Sequence, residues 1–499
     1  MIRTPFSRTP DRGPQAFTTD PFDADHLKEE CGVFGIVGDP DAATHTALGL
    51  HALQHRGQEA AGIVTCDGRQ FHSHRGLGHV SENFNDEAVM SRLKGSMAIG
   101  HTRYSTTGET ILRNVQPLFA EFESGGFAIG HNGNLTNALT LRRELQNRGC
   151  LFQSTSDTET VTHLIALSKG ATIEERLIEA LRQIEGAYSF VCLTNHALIG
   201  ARDPLGVRPL VLGKLDNAHI LCSESCALDI IGADYVRDIE PGEIVIVDKD
   251  GVRSLNPFPK QNPRFCIFEY IYFARPDSIM QDRSVYEVRK RIGAELAKES
   301  PAECDVVVPV PDSGVPAALG FAAEIGKPFE YGIIRNHYVG RTFIQPTDKT
   351  RHLGVKRKHN PNKLQIEGKR VVLVDDSIVR GTTSTKIVEM VRDAGAVEVH
   401  MRISSPPTAH PCFFGIDTPS YDGLLAAKYD VPKMAKLLGV DSLAFISIDG
   451  LYRAVGEAKR LEDRPQFCDA CFTGDYPLPL TDQKAGTLPK QLSLLQERA

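Results

Sequence analysis

The most specific chemical pattern in the sequence is a strand that ends in two acids and leads through a glycine loop into a helix. Residues 371–384 read VVLVDDSIVRGTTS, an apolar strand followed by Asp375, Asp376 and then the loop around Gly381. Backbone N–H groups of such a loop, together with the positive end of the helix, can hold a phosphate group. The two carboxylates can bind ribose hydroxyls directly or through Mg²⁺, which prefers oxygen ligands. A plain polar turn explains one acid after a strand, but not the whole pattern.

A second candidate site begins at Cys31, the first residue of the apolar stretch CGVFGIV. A terminal cysteine can use its own α-amino group, whose ordinary pKa is about 7.7 to 8.0, as the base that activates the thiol. The only methionine ahead of Cys31 is Met1, so proteolysis would have to expose this amino group. A buried structural thiol is the alternative for Cys31 on its own, and three later segments argue against it.

These three segments bring polar side chains to the ends of predicted strands. Arg103 ends one strand, and its planar guanidinium suits the carboxylate of an amino acid. Asn132 and Gly133 end another strand, where an amide and a backbone N–H can form an oxyanion hole. The stretch SDTE at 156–159 predicts a helix capping box, within which Asp157 can pair with a substrate ammonium group.

The pattern at 371–384 resembles the signature of phosphoribosyltransferases that use 5-phosphoribosyl 1-pyrophosphate (PRPP). The resemblance implies that Asp375 and Asp376 bind the ribose and one Mg²⁺ per subunit. It also implies that the loop around the 5-phosphate of PRPP contains Gly381, Thr382 and Thr383.

Two further segments of the second half resemble parts of the same site. The stretch PDSG at 311–314 ends another apolar strand, and by the resemblance Ser313 also reaches the metal. Residues 336–343, NHYVGRTF, resemble the flexible loop that closes over the pyrophosphate, with Arg341 as its anion contact. Without the resemblance, 336–343 reads as an ordinary surface loop.

In the first half, the segments around Cys31 resemble, in order and spacing, the glutaminase domain of amidotransferases with an amino-terminal nucleophile. The resemblance implies that Cys31 is the nucleophile and that Arg103 and Asp157 hold glutamine. It further implies that Asn132 and Gly133 form the oxyanion hole. A domain of this kind supplies ammonia to several acceptors, and only the second half indicates which one.

Joined in this order, the two halves resemble the family of glutamine phosphoribosylpyrophosphate amidotransferases, which make 5-phosphoribosylamine at the first committed step of purine synthesis. The resemblance alone implies feedback inhibition by purine nucleotides and assembly as a homotetramer. The stretch HRGQ at 55–58 also resembles this family. Its role we leave open, with packing at a helix terminus as the default.

Four of the eleven cysteines have the number and context of a metal or cluster site. Cys468 and Cys471 form a C-x-x-C pair, which zinc, iron–sulfur clusters and redox dithiols all use. With Cys266 and Cys412 they can make a four-thiolate site, and from their chemistry alone zinc and iron–sulfur are equal alternatives. The surrounding stretches FCIFEY and HPCFFG resemble the cluster-bearing branch of the family. That resemblance implies one [4Fe-4S] cluster per subunit, with a structural and oxygen-sensing role.

Two different scaffolds must position these residues. Short strands in two clusters, with helices near 43–55 and 136–148, predict an α+β domain of stacked sheets between helices. The resemblance implies that this is the amino-terminal-nucleophile hydrolase fold. Beyond them, apolar strands at 305–310 and 397–403 and a helix at 383–394 predict an α/β domain with an open parallel sheet. The resemblance implies that this is the fold of a type I phosphoribosyltransferase.

The composition of the chain sets the expected domain limits. We predict a leader removed by cleavage before Cys31 at 1–30, a glutaminase domain at 31–255 and a proline-rich linker at 256–263. A phosphoribosyltransferase domain is expected at 264–475, and a polar tail at 476–499.

Charge and hydropathy exclude several classes of function. The chain has 499 residues and a formal net charge of −7, which opposes broad nucleic-acid binding. It has no apolar run of membrane-spanning length and no secretory signal, so its eleven cysteines indicate reduced thiols in the cytoplasm. A ligand-sensing regulator with a phosphoribosyltransferase fold is the rival interpretation, and it predicts a basic nucleic-acid face that the net charge opposes.

Overall fold

A computed structural model describes residues 28–29, 31–104, 111–123, 125–336 and 359–484. The chain forms an amino-terminal part built on two antiparallel sheets and a carboxy-terminal part built on a parallel sheet.

The strands of the amino-terminal part are β1 (Lys28–Glu29), β2 (Cys31–Val37), β3 (Ala60–Cys66), β4 (Phe71–Leu77), β5 (Met97–Arg103), β6 (Leu118–Phe122), β7 (Gly125–Leu135), β8 (Gly186–Thr194), β9 (Leu198–Arg202), β10 (Val211–Leu215), β11 (Ala218–Cys222), β12 (Asp234–Asp238), β13 (Ile244–Asp248) and β14 (Gly251–Leu255). Its α-helices are α1 (Ala42–Ala52), α2 (Val80–Asn83), α3 (Glu87–Met90), α4 (Ala138–Asn147), α5 (Thr158–Leu167), α6 (Ile173–Leu181) and α7 (Cys226–Asp229). Short 3₁₀ helices occupy Gln54–Arg56 and Leu112–Asn114.

The two amino-terminal sheets pack face to face with helices on their outer sides. The seven-stranded sheet has the order β12-β10-β11-β2-β5-β3-β4, and the six-stranded sheet has the order β14-β13-β9-β8-β7-β6. Apolar side chains from both sheets, among them Val33, Ile99 and Val191, form the core between them. Helix α1 covers the first sheet, and helices α4, α5 and α6 cover the second. Each fully buried side chain of this size contributes about 1.5 to 3 kcal/mol, so the shared core holds the two sheets together.

The strands of the carboxy-terminal part are β15 (Phe265–Cys266), β16 (Ile279–Met280), β17 (Arg283–Ser284), β18 (Val306–Pro309), β19 (Ile333–Arg335), β20 (His359–Pro361), β21 (Arg370–Asp375), β22 (Glu398–Ile403), β23 (Ile416–Asp417), β24 (Ser442–Phe445) and β25 (Phe467–Cys468). Its α-helices are α8 (Val285–Glu299), α9 (Val315–Ile325), α10 (Lys363–Ile366), α11 (Thr382–Asp393), α12 (Leu425–Lys428), α13 (Val431–Leu438), α14 (Ile448–Ala454), α15 (Ala470–Thr473) and α16 (Thr481–Lys484). A π-helix occupies Glu269–Phe273, and a 3₁₀ helix occupies Tyr421–Gly423.

The parallel sheet of the carboxy-terminal part has the order β18-β21-β22-β24. Helices α8 and α9 pack on the face that carries Val372, and helices α11 and α13 pack on the face that carries Leu373. Because both faces are covered, the strands are continuous apolar runs. Ligands of such sheets bind beyond the carboxyl ends of the strands, which places the acids that follow β21 at the expected edge.

Both architectures are those predicted from the sequence: stacked sheets between helices, then an open parallel sheet. Residues 256–264, between β14 and β15, contain no helix or strand. The predicted domain limits at 255 and 264 stay predictions. None of the helices in the described ranges combines the length and the hydropathy of a membrane-spanning segment.

Residues 476–484, at the start of the predicted polar tail, pack against both parts of the molecule. The predicted limit at 476 stays a prediction. Three apolar side chains of this stretch pack against the carboxy-terminal core. Farther along, the Asp482 carboxylate accepts hydrogen bonds from the N–H groups of Leu139 and Thr140, at 2.8 and 3.0 Å. These N–H groups belong to the first turn of α4, where a negative charge is favourable. The sequence shows no regular apolar period here because the contacts come from a few scattered side chains, Tyr476, Leu478 and Leu480.

The chain immediately ahead of Cys31 contacts the carboxy-terminal part. Strand β1 pairs antiparallel with β23, with Glu29 opposite Ile416. The last residues of the predicted leader therefore lie between the two parts. Residues 1–27 and Glu30 lie outside the described residues.

Candidate active sites

The structure places Cys31 at the start of β2, directly opposite Arg103 at the end of β5. Both side chains are buried. The facing sheet contributes Asn132 and Gly133 from β7, where they pair with β8. Strands β2 and β7 belong to different sheets that pack against each other, so segments about a hundred positions apart in the chain come together in the fold.

Ser223 joins the cysteine strand to Asn132. Its hydroxyl oxygen accepts a hydrogen bond from the Val33 N–H at 3.0 Å, two residues beyond Cys31. The same oxygen lies 3.5 Å from the Asn132 amide nitrogen, which donates to it. Ser223 and Asn132 are both fully buried, so the orientation of the Asn132 amide is fixed by the protein interior.

Gly133 occupies a backbone conformation that other residues adopt at a cost. Its φ is 144°, and a Cβ atom added there would lie 2.1 Å from the carbonyl oxygen of Ala187. Glycine is therefore required for β7 to pass this close to β8.

Asp157 lies at the start of α5, where its surroundings lower the pKa of its carboxyl group. Its carboxylate accepts a hydrogen bond from the Leu135 N–H at 3.0 Å and lies 3.6 Å from the His131 ring nitrogen. Burial alone would raise the pKa of the Asp157 carboxyl, but His131 and the backbone N–H groups of Leu135 and Thr158 hold it below its ordinary value. A negative charge at this position can pair with an ammonium group.

The capping box predicted at 156–159 does not form. The Ser156 hydroxyl accepts from the Thr158 N–H at 3.3 Å, one residue earlier than a capping box requires. The Glu159 carboxylate turns back to the N–H groups of Gln153 and Ser154, each at 2.7 Å. The chain ahead of α5 therefore folds back over the helix, and Glu159 fixes that bend.

The second site lies at the carboxyl ends of β18 and β21, which are neighbours in the parallel sheet. The Asp376 carboxylate accepts hydrogen bonds from the hydroxyls of Ser313 and Ser377, both at 2.5 Å. The Asp376 N–H donates to the Asp375 carboxylate at 2.9 Å. The structure therefore brings together Ser313, Asp375 and Asp376, the three residues assigned to the metal.

The loop after these acids turns into α11 at Gly381. Gly381 has a φ of 82°, and a Cβ atom there would lie 2.9 Å from the Leu425 side chain. Thr382, the first residue of α11, is exposed, whereas Thr383 is buried. Helix α11 has twelve residues and begins after the short loop that follows β21. Its amino-terminal N–H groups and positive end therefore lie near the carboxyl end of β21, where they can bind a phosphate.

Oxygen ligands for Mg²⁺ are present at this site. Asp375, Asp376 and Ser313 offer carboxylate and hydroxyl oxygens, the donor type that Mg²⁺ prefers. This donor set fits a metal that also binds substrate oxygens. Arg341 and the rest of the predicted closing loop, apart from Asn336, lie outside the described residues.

The four cysteines expected to hold a cluster lie near one another in the carboxy-terminal part. Strand β15 pairs in parallel with β25, which sets Cys266 opposite Cys468. Burial raises the pKa of the Cys468 thiol to about 12, with a further contribution from Cys412. Burial raises the pKa values of Cys266 and Cys471 well above normal. Cys468 and Cys412 add to the effect at Cys266, and the other three thiols add to it at Cys471.

This cysteine group has the donor chemistry of an iron–sulfur site, and its thiols are close enough to interact electrostatically. The thiols are not in ligating geometry: among the residues the structure describes, no three or more His, Cys, Asp or Glu side chains are arranged to hold a metal ion. The chemistry and the proximity of the four cysteines fit an iron–sulfur cluster. In this structure the four residues are free cysteines.

Sequence reasoning missed several buried charged residues between the two parts. Arg56 donates to the carboxylates of Glu224 and Glu269, and the nitrogen–oxygen distance to Glu269 is 2.7 Å. All three side chains are fully buried. Glu224 follows the apolar strand β11 in a Ser-Glu-Ser stretch, which is the same kind of signal that drew attention to the acids after β21.

Comparisons with known proteins identify both parts of the chain. A family model described as a glutamine amidotransferase domain matches residues 101–229, and one described as a phosphoribosyl transferase domain matches residues 277–404. The two folds, with the constellations described above, define a glutamine amidotransferase joined to a phosphoribosyltransferase.

Several relatives align with almost the whole chain, across both of its parts. The amidophosphoribosyltransferase of Rhizobium etli is 61% identical over 484 residues, which covers 96% of this chain and 98% of that protein. The amidophosphoribosyltransferase of Bacillus subtilis is 48% identical and covers 90% of this chain and 94% of its own. A solved structure of the B. subtilis glutamine PRPP amidotransferase, complexed with ADP and GMP, is 47% identical, has a TM-score of 0.86, and covers 90% of this chain and 98% of that chain. The chain belongs to the amidophosphoribosyltransferase family.

Proposed function

We propose that this enzyme releases ammonia from glutamine at Cys31 and uses it to displace pyrophosphate from PRPP, giving 5-phosphoribosylamine in the first step of de novo purine biosynthesis. The observation that carries the proposal is a single chain with two candidate sites: Ser223 joins the strand that begins at Cys31 to Asn132, and Asp375 and Asp376 lie at the carboxyl end of a parallel strand. A relative named for this activity aligns with 96% of this chain. The rival interpretation as a regulatory protein has no comparable support. We assign 31–255 to the glutaminase half and 264–475 to the transferase half.

In the glutaminase half, the Cys31 sulfur attacks the carboxamide carbon of glutamine, ammonia leaves, and water hydrolyses the resulting thioester. Asn132 Nδ2 and the Gly133 N–H stabilise the negative charge that develops on the carboxamide oxygen. Arg103 and Asp157 hold the carboxylate and the ammonium group of glutamine. The lowered pKa of the Asp157 carboxyl supports its part in this assignment, because it favours a negative charge opposite the ammonium group.

Asn132→Ala is expected to lower glutamine hydrolysis by about 10²–10³-fold, because the variant lacks one oxyanion-hole donor. Pyrophosphate release with free ammonia should not change. Steady-state assays with each nitrogen donor measure both effects. Asn137→Ala is the matched control, since the Asn137 amide lies on the same segment but donates to the Gln183 carbonyl at 3.0 Å. Equal losses with both nitrogen donors would contradict the assignment of Asn132.

In the transferase half, Asp375 and Asp376 hold the ribose hydroxyls of PRPP, and Gly381, Thr382 and Thr383 surround its 5-phosphate. A Mg²⁺ ion held by Ser313, Asp375 and Asp376 would neutralise charge on the departing pyrophosphate. Ammonia then attacks the anomeric carbon of the ribose. Closure of residues 336–343, with Arg341 on the pyrophosphate, would exclude water and retain the ammonia.

We also propose that the leader 1–30 is removed by cleavage, because the α-amino group of Cys31 serves as the base in glutamine hydrolysis. The mature, active protein is expected to begin at Cys31, which mass measurement and amino-terminal sequencing would show. A chain that still carries the leader should hydrolyse no glutamine but retain the ammonia reaction. Full glutamine activity in an uncleaved chain would refute the proposed base.

The cysteines Cys266, Cys412, Cys468 and Cys471 are proposed to hold one [4Fe-4S] cluster. Their thiolate chemistry and mutual proximity support this proposal. The residue after Cys412 also contacts the glutaminase half, because the Asn134 amide donates a hydrogen bond to the Phe413 carbonyl oxygen at 2.9 Å. A cluster would therefore stabilise a part of the chain that both halves share.

Protein prepared without oxygen should contain about four iron and four sulfide ions per chain. Cys468→Ala should lose this iron and unfold at a lower temperature, whereas Cys304→Ala, which removes another buried thiol of the transferase half, should keep it. Elemental analysis and thermal unfolding measure these results. Stoichiometric zinc in place of iron would contradict the cluster assignment.

Three further properties are proposed, two from the relatives and one from the cysteines. The B. subtilis structure was solved with ADP and GMP, and we propose that purine nucleotides inhibit this enzyme by feedback. A homotetramer is proposed on the same family grounds. We place the enzyme in the cytoplasm, because no disulfide joins any of its eleven cysteines, all of which lie in the described residues.

A further inference from the structure

A loop of the transferase half packs directly against Gly133, the glycine assigned to the oxyanion hole of the other half. In this loop Gly415 has a φ of 113°, and a Cβ atom added to it would lie 3.1 Å from the Gly133 Cα and 3.3 Å from the Gly133 carbonyl carbon. Both distances are shorter than the optimal separation of two carbon atoms, about 3.5 to 4.0 Å. The two glycines therefore meet backbone to backbone across the boundary between the halves.

Strand β8 lies on another side of Gly133. A Cβ atom on Gly133 itself would lie 2.1 Å from the Ala187 carbonyl oxygen. The Gly133 peptide is thus held between the backbone of its own half and the backbone of Gly415. Because close-packed interiors transmit strain, an atom added at Gly415 should displace Gly133 or the loop that contacts it.

A hydrogen bond ties the next residue of β7 to the same loop. The Asn134 amide donates to the Phe413 carbonyl oxygen at 2.9 Å. At the other end of this short segment, the Asn132 amide donates to Ser223 within the glutaminase half. Residues 132–134 are therefore held by their own half at one end and by the transferase half at the other.

The loop around Gly415 is anchored in the carboxy-terminal core. Phe414 and Ile416, the two neighbours of Gly415, are buried there. On one side of them the Cys412 N–H donates to the Thr418 hydroxyl at 2.7 Å, which closes the loop on itself. The position of Gly415 is therefore set by the transferase half.

We propose that Gly415 is a positioning residue for glutamine hydrolysis. Because it has no side chain, the transferase half can hold the Gly133 peptide where its N–H meets the oxygen of the carboxamide as negative charge develops. The hydrogen bond from Asn134 to Phe413 fixes the same segment along the strand. The inference rests on the proposed function and adds to it a part of the glutaminase site that the other half supplies. It concerns the enzyme with an empty transferase site.

Gly415→Ala tests this role through glutamate formation by the mature enzyme without PRPP. The kcat should fall about tenfold or more, because a displaced oxyanion donor stabilises the transition state less. The KM for glutamine should stay within about twofold, since the contact acts in the transition state and not in substrate binding. Pyrophosphate release with free ammonia should also stay within about twofold.

Gly456→Ala is the matched control in the same half. Gly456 has a φ of 97°, so alanine there meets a similar backbone strain. No atom of the described residues lies within 4 Å of the added Cβ, in contrast to Gly415. The control should therefore keep the wild-type kcat, which separates the contact with Gly133 from strain in the loop.

Asn134→Ala is the second variant, because it removes the hydrogen bond to Phe413 without adding an atom. Its kcat should fall in the same direction with KM nearly unchanged, and it decides the question if Gly415→Ala does not fold. Wild-type kcat in folded Gly415→Ala, or an equal loss in Gly456→Ala, would overturn the positioning role. Wild-type kcat in Asn134→Ala would overturn it if Gly415→Ala does not fold. Wild-type enzyme that hydrolyses no glutamine would instead overturn the proposed function.

Discussion

Cys31→Ala is expected to abolish pyrophosphate release with glutamine while leaving release with free ammonia nearly unchanged. In the proposed mechanism the Cys31 sulfur forms the covalent bond to the substrate. Its removal should therefore lower the glutamine reaction by about 10⁴-fold or more. Ammonia added to the solution bypasses this step, and its target site is formed by β18 and β21, in a different sheet. Parallel assays of pyrophosphate release with glutamine and with ammonium salt measure both quantities.

Cys66→Ala is the matched control for that experiment. Cys66 is a fully buried thiol at the far end of β3, in the same sheet as Cys31. The control therefore removes a sulfur of equal size from the same layer without touching the site. Both reactions should continue in it. If folded Cys31→Ala lost the ammonia reaction as well, the division of labour between the halves would be wrong.

Asp376→Asn is expected to lower pyrophosphate release with both nitrogen donors by about 10²–10³-fold, a loss typical of removing one preorganised charge from an active site. The asparagine keeps the size of the side chain but removes the charge that would hold the ribose and Mg²⁺. Glutamine hydrolysis without PRPP should remain, because Cys31 and Asn132 belong to other sheets. Assays of pyrophosphate and glutamate separate the two activities.

Asp305→Asn provides the control at the amino-terminal ends of the strands in the same parallel sheet. Asp305 precedes β18 and pairs with Arg370 at the amino end of β21, with an oxygen–nitrogen distance of 2.9 Å. The control thus removes a carboxylate from the sheet but not from the carboxyl ends of its strands, and both reactions should persist. Comparable losses in the two variants would mean that Asp376 acts through folding and not through PRPP.

The parts of the fold that the sequence predicted are those with strong local patterns. The helix predicted at 383–394 is observed at Thr382–Asp393, and the strand predicted at 397–403 is observed at Glu398–Ile403. Both have apolar residues at the period of their own secondary structure. The candidate site residues were found for a related reason, because polar groups directly after an apolar strand have few structural explanations.

The contacts that the sequence did not predict are those between distant segments. Nothing local to Ser223 indicates that its hydroxyl meets Asn132, and nothing near Asp482 indicates that it caps α4. Such contacts depend on how two sheets and two halves pack, which periodicity does not encode. The capping box at 156–159 failed for the same reason, since Glu159 finds better-placed N–H groups in the preceding turn.

The most direct test of the proposed reaction uses glutamine labelled with ¹⁵N in its amide, together with PRPP and unlabelled ammonium salt. We expect one glutamate for each pyrophosphate, and a product amine that carries ¹⁵N even when unlabelled ammonia is abundant, because ammonia passes from Cys31 to the ribose without leaving the enzyme. Glutamate formed without pyrophosphate, or a product that draws its nitrogen from the solution, would contradict the proposed transfer between the two sites.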